Sequence, residues 1–377
     1  MPLVATLYVH IPFRPGPRLY DDAMTAIDGQ VPGSYVHAVA REVTYLAQQY
    51  LATDPISSIH VGGGRASLLN PDDWQVLFDR LSDSVPLDDL REVTLELHPL
   101  DATPPAVRVL EDIGITRISL EVLSFRADDL QTLQAPHAPD DIEDALDVLA
   151  RSTIDDLSVD LMFGWQGQDL SHWEATLERV AQLKAGHVSL IEWTDDTVIP
   201  IASNDTVAEQ YEVASSHLRK HGYDRYEISH FARPGHRSIH NERNLNHSNA
   251  LGVGAGAHSF WWDELPAIRW YSVDNRARYE ALLKQRHLPI AERRSLDLLD
   301  LANEYVLLRL RTSDGLDPTV LHDRYDLDLW AHRQEALEQL IAAGHVETHG
   351  SGRLRLTDRG VLLADAVTRR LLPIGPV

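Results

Sequence analysis

Between Leu3 and His221, short β-branched runs alternate six times with longer stretches of helical period. A strand can reach a parallel neighbour only through a crossover, so this alternation predicts βα units around a parallel sheet. The expected strands are Leu3–Ile11, Ser57–Val61, Glu92–Pro99, Arg117–Ser124, Leu157–Phe163 and His187–Trp193. Helices are expected near Ser34–Tyr50, Asp72–Leu81, Pro104–Ile113, Pro139–Ala150, Leu170–Leu183 and Asp205–His221. Local signals agree. Pro71, Asp72 and Asp73 open one helix with acids, and Gly114 and Gly186 close two others. The expectation is an α/β fold, a partial (β/α)6 TIM-like barrel with ligand chemistry at the carboxyl ends of its strands.

The texture changes near Arg276. Residues 295–377 read as three helices, a hairpin "HVETHGSGRLRLT" with Ser351-Gly352 at its tip, and a last helix from Asp358. That order is winged-helix-like. The expected division is a barrel over 1–235, a His- and Gly-rich connecting region over 236–294, and a mostly helical C-terminal domain over 295–377. Winged helices often bind DNA, but no basic recognition helix stands out. A formal charge of −23 also argues against nucleic acid, whose binding is dominated by cations on phosphate. A packing or partner-binding role is expected for the C-terminal domain instead.

No apolar run is long enough to span a bilayer and no signal pattern opens the chain, so a cytoplasmic protein is expected. The only lysines are Lys184, Lys220 and Lys284, against 31 arginines. Acid excess with lysine depletion is a composition that a high-salt cytoplasm favours. There is no cysteine at all. This excludes disulfides, thiolate metal sites and cysteine nucleophiles together.

The strand ends carry the candidate chemistry. After the second strand, Gly62, Gly63 and Gly64 allow a close approach to the backbone and expose N–H groups. Glu96 in "EVTLELHP" and Asp160 in "SVDLMFGWQGQ" are acids inside apolar runs, where an unpartnered carboxylate is costly. Downstream, His230, His236, His240, His247 and His258 cluster beside Asn241 and a Gly-Val-Gly-Ala-Gly run read as flexible. Neutral imidazole can ligate a metal or haem iron. No spacing here matches a zinc site, and a chain with 19 histidines groups some by chance.

The stretches "LYVHIPF", "GGG-x-x-SLL", "EVTLELHP", "GITRISLEVLSF", "DLMFG-x-x-GQ", "GYDRYEISHFA", "HN", "LGVGAGAHS" and "LRTSDGLD", in this order, resemble the radical SAM family of oxygen-independent coproporphyrinogen III oxidases. The resemblance is greatest to its haem-chaperone branch, HemW. It implies a radical SAM barrel with a HemW-like C-terminal domain. In that family, Cys-x3-Cys-x2-Cys after His-Ile-Pro-Phe holds a [4Fe–4S] cluster that cleaves S-adenosylmethionine. Here those three positions are Arg14, Arg18 and Asp21, so the resemblance implies a cluster loop without its ligands and without radical chemistry.

The resemblance assigns Tyr8, Gly62, Gly63, Gly64, Glu96 and Asp160 to a remnant S-adenosylmethionine pocket. Other positions depart from it. The Thr-Pro after the glycines is Arg65-Ala66, the Asn of Glu-x-Asn-Pro is His98, the Gln of Gly-Val-Gln-Ser-Phe is Leu123, and the Arg of Leu-Gly-Arg-x-His is Ala135. Of a His-Asn-x-x-Tyr-Trp stretch tied to haem, only His240 and Asn241 remain. They are the candidate haem contacts. Arg14 and Arg18 either pair with Asp21 or Asp22 or grip an anion such as a haem propionate. Three functions are therefore expected to compete. These are a cluster-less binder of haem or another tetrapyrrole, an interaction partner of a haem-receiving protein or an active relative, and a non-radical enzyme using Glu96, Asp160 or the Arg loop.

Overall fold

A computed structural model describes residues 4–16, 24–25, 29–51, 55–85, 87–350 and 352–374. Six parallel strands form its centre: β1 (Ala5–Ile11), β2 (Ile56–Gly63), β3 (Glu92–Leu97), β4 (Arg117–Leu123), β5 (Asp156–Phe163) and β6 (His187–Glu192). The helices between them are α1 (Gly33–Tyr50), α2 (Pro71–Ser84), α3 (Pro104–Asp112), α4 (Pro139–Leu149) and α5 (Leu170–Ala181), with α6 (Asn204–Lys220) following β6. All six expected strands and all six expected helices are present, with ends shifted by a few residues at most.

The chain then returns to both edges of the sheet. Beyond β6 lie the short antiparallel strands β7 (Asp224–Arg225) and β8 (His230–Ala232). On the other edge β9 (Ala250–Val253) runs parallel to β1. It is followed by an antiparallel meander of β10 (His258–Trp261), β11 (Ala267–Ser272) and β12 (Ile290–Leu296). The order among the described residues is β12-β11-β10-β9-β1-β2-β3-β4-β5-β6-β8-β7. The Gly-Val-Gly-Ala-Gly run is thus not a flexible segment. Its first half is β9 pairing, and its second half is a turn pinned by a buried carboxylate.

Period-2 alternation places the chemistry. In β1, Leu7, Val9 and Ile11 enter the hydrophobic core, leaving Thr6, Tyr8 and His10 on the opposite face. The same parity puts Ser58, His60 and Gly62 of β2, Glu92, Thr94 and Glu96 of β3, and Arg117, Ser119 and Glu121 of β4 on that inner face. Ser158 and Asp160 of β5 and His187 and Ser189 of β6 follow suit. The apolar set seals the sheet against its helices, so the inner face is the one surface free to carry polar groups.

From Leu298 the chain is mostly helical, with a second apolar core built on Leu301, Val306, Leu321, Leu337 and Val367. A hairpin of Val346–His349 with Arg353–Leu356 lies within it, as expected.

Candidate functional site

A short helix, α7 (Ile239–Leu245), closes one end of the inner face. Its first turn is held by Glu92 of β3. That carboxylate accepts from the amides of Ile239 (2.7 Å) and His240 (3.1 Å) and from the Ser238 hydroxyl (3.1 Å). An anion at a helix N-terminus satisfies N–H groups that have no partner within the helix. His240 is thereby fixed at 5% exposure, its Nδ1 3.2 Å from Ser58 Oγ. Its ring lies beside those of His60 and Tyr8, with centroids 5.0 and 6.3 Å away. Burial, and then the neighbouring His60, hold the His240 pKa well below the usual histidine range, so the imidazole is neutral.

These groups line an inner cleft of about 560 Å³, which also receives His10, Asn241 and His258 and reaches Glu96 at its far end. Glu96 is the hinge between two sites. It takes His60 Nε2 at 2.9 Å and the Gly63 amide at 2.9 Å. Burial works to raise its pKa, but the His60 hydrogen bond and charge and the Gly63 amide outweigh burial and leave it lowered, so Glu96 is ionised. The glycines serve this contact. A Cβ on Gly62 would stand 2.4 Å from Glu96 Oε1, and one on Gly63, whose φ is +127°, would stand 2.7 Å from the Ile11 carbonyl.

Beyond Glu96 an outer cleft of about 540 Å³ opens at the carboxyl ends of β2 to β6. It is lined by Gly63, Gly64, His98, Glu121, Asp160 and Glu192 among others. The Ser119 hydroxyl bonds both oxygens of Asp160, at 3.0 and 2.9 Å. Burial raises the Asp160 pKa, and hydrogen bonds from Ser189 and Ser119 oppose it. One wall is locked by Arg65, whose Nε reaches Asp101 Oδ2 at 2.6 Å and whose Nη2 bonds the other oxygen.

The structure therefore brings Tyr8, His240 and Asn241 together in the inner cleft and Gly63, Gly64 and Asp160 in the outer one, with Glu96 common to both. Arg14 is 4% exposed and lines neither cleft. Arg18, Asp21 and Asp22 lie outside the described residues. The sequence reading missed His60, Glu92 and Ser119. Each is a lone polar residue, and its only signal is the strand parity it shares with Glu96 or Asp160.

Residues 296–363 match the HemN C-terminal domain. The Heme chaperone HemW of Mycobacterium tuberculosis is 29% identical to this chain, over 97% of this chain and 94% of its own length. The Bacillus subtilis protein of the same name is 26% identical, over 96% and 97%. The solved structure of coproporphyrinogen III oxidase (HemN) from Escherichia coli, a radical SAM enzyme, superposes with a TM-score of 0.83. It covers 98% of this chain and 90% of its own, at 20% identity. The chain is thus similar over nearly its whole length to HemW proteins, and its fold is that of a radical SAM enzyme.

At the positions that the resemblance gives to a cluster, the donors are unusual. A thiolate-held cluster does not fit them. The chain has no cysteine, and a guanidinium such as that of Arg14 has no lone pair to give iron. Of the positions that the resemblance assigns to an S-adenosylmethionine pocket, Gly62, Gly63, Glu96 and Asp160 have structural partners in the fold, as described above. The departures Arg65, His98 and Leu123 fall on the outer cleft.

Proposed function

We propose that this chain is a cytoplasmic HemW-like protein that binds haem or a related tetrapyrrole without a [4Fe–4S] cluster and without radical chemistry. The observation that carries this reading is the inner cleft. It offers an imidazole kept neutral by burial, flanked by aromatic rings, in a chain whose relatives are named haem chaperones. Neutral imidazole is the form that ligates haem iron. When bound, haem would supply an iron centre and a flat apolar face. His240 would hold the iron, Ser58 would orient its ring, and Tyr8 and His60 would pack beside it. No residue is asked to carry a reaction step.

The Arg14 and Arg18 positions are proposed as contacts for the propionates, since guanidinium grips carboxylate in a bidentate way. Arg14 is buried, so this requires its side chain to become accessible when ligand arrives. Residual S-adenosylmethionine binding is expected to be weak, because several polar contacts of the pattern are gone. The acidic, lysine-poor surface is proposed as an adaptation to high salt.

Haemin titration of the purified protein tests the reading. A shifted Soret band saturating at micromolar haemin supports it. An unshifted spectrum rejects it.

A further inference from the structure

At the outer cleft and just behind its wall stand three side chains of metal-ligating type that the haem reading does not use. His98 follows β3, Glu121 lies near the end of β4, and His137 enters from the turn before α4. One ligand atom from each lies within 4.8 Å of the other two. His98 and His137 are 2% and 4% exposed, while Glu121 lines the cleft. We propose that His98, Glu121 and His137 bind one divalent transition-metal ion, of the Zn²⁺ or Fe²⁺ class, with an open coordination position facing the cleft.

The donor set suits such an ion, which takes imidazole and carboxylate together. Spacing supports it further. Two nitrogens bound tetrahedrally at about 2.0–2.1 Å lie about 3.3–3.4 Å apart. His137 Nδ1 and His98 Nε2 are 3.3 Å apart. His137 is also oriented as a ligand should be. Its Nε2 lies 3.2 Å from the Val122 carbonyl, which holds the proton there and leaves the Nδ1 lone pair toward the site.

That carbonyl is presented by a break in β4, where the register with β5 slips between Glu121 and Leu123. Leu123 is buried with φ at +62°, a left-handed conformation that is strained for a non-glycine residue. Strain of this kind persists where surrounding structure enforces it, commonly at binding sites.

Without an ion, His98 Nδ1 accepts from the Leu100 amide at 3.2 Å, so its Nε2–H points at His137. Loading an ion shifts that proton to Nδ1 and frees the Leu100 amide. Leu100 is 40% exposed, so water can replace the lost contact.

The test is calorimetric titration of the chelator-treated full-length protein with Zn²⁺. A second group, Glu178, His217 and His221, lies on α5, on α6 and just past the end of α6. The titration therefore uses a His217→Ala, His221→Ala background. One equivalent per chain at micromolar affinity or tighter is expected, weakened at least tenfold by Glu121→Gln and by His98→Asn. His98 is buried and its replacement can disturb folding, so Glu121→Gln, whose side chain faces the cleft, is the deciding variant. No equivalent in the parent background overturns the proposal. So does an equivalent that Glu121→Gln leaves unchanged. Zn²⁺ alone is the probe, so the outcome is independent of haem binding.

Discussion

The inner and outer clefts share Glu96 and differ in almost everything else. The inner one is walled by rings. Tyr8 has its pKa pushed up by burial and then by Glu96, and His240 has its pKa pushed down by burial, so both stay neutral. The outer one is walled by carboxylates, with Glu96, Glu121, Asp160, Glu192 and Asp195 around it. Six strands of one parity thus present two environments. The pattern of the resemblance survives in part in both: Tyr8, His240 and Asn241 of the inner cleft and Gly63, Gly64 and Asp160 of the outer one follow it, whereas Asn244 of the inner cleft and Arg65, His98 and Leu123 of the outer one depart from it. The inner cleft is packed against α7, and the mouth is built from loop ends and strand termini.

The strongest way to break this contrast is to remove what holds the inner floor. Glu92→Ala takes the partner from two amides and a buried hydroxyl, each worth about 1–3 kcal/mol when left unmade. A loss of on the order of 3 kcal/mol in urea unfolding is expected. A change below about 0.5 kcal/mol would mean that α7 is held by other contacts.

Next is Glu42, a buried carboxyl on α1 that pins the turn after β9. It accepts from the Gly254 amide (2.8 Å), Ser272 Oγ (3.0 Å) and Tyr279 Oη (2.6 Å). Burial pushes its pKa up to about 7 from 4.5, against the hydrogen bonds from Tyr279, Gly254 and Ser272. A raised folded-state pKa gives stability that is complete below about 4.5 and is lost as pH rises through about 7. Unfolding at pH 5 and pH 8 should show the wild type losing on the order of 2–3 kcal/mol more than Glu42→Gln. Parallel pH profiles would remove this group from the account.

His240→Ala sharpens the contrast directly. Haemin affinity should fall about tenfold, or about 1.4 kcal/mol, while Glu121→Gln leaves it unchanged. Equal losses in the two variants would merge the clefts into one site. Smaller still, the Arg14→Ala, Arg18→Ala double variant should weaken haemin about threefold. Undiminished affinity would leave those arginines a structural role only.

How far the sequence could be read follows from the same physics. The barrel was legible because the strands are short β-branched runs and several of the helices between them carry their own caps. Asn70 accepts from the Asp73 amide at the start of α2, and Asp169 from the Ser171 amide at the start of α5. Glu96 and Asp160 were legible because acids in apolar runs have few innocent explanations. The β9–β12 meander was not, since glycine spacing reads as flexibility until a partner such as Glu42, far away in sequence, is known. His98, Glu121 and His137 come from three separate strand ends and turns, and only the pairing of β3 with β4 and the turn before α4 make them neighbours. The burial of Arg14 could not be read from spacing.

The central claim is that this cysteine-free chain keeps the haem-binding half of its family's character. Haemin titration of the chelator-treated full-length protein, followed in the Soret region, tests it most directly. A shifted band saturating at one equivalent and micromolar concentration, and weakened in His240→Ala, is the predicted result. A spectrum identical to free haemin across that range would contradict it.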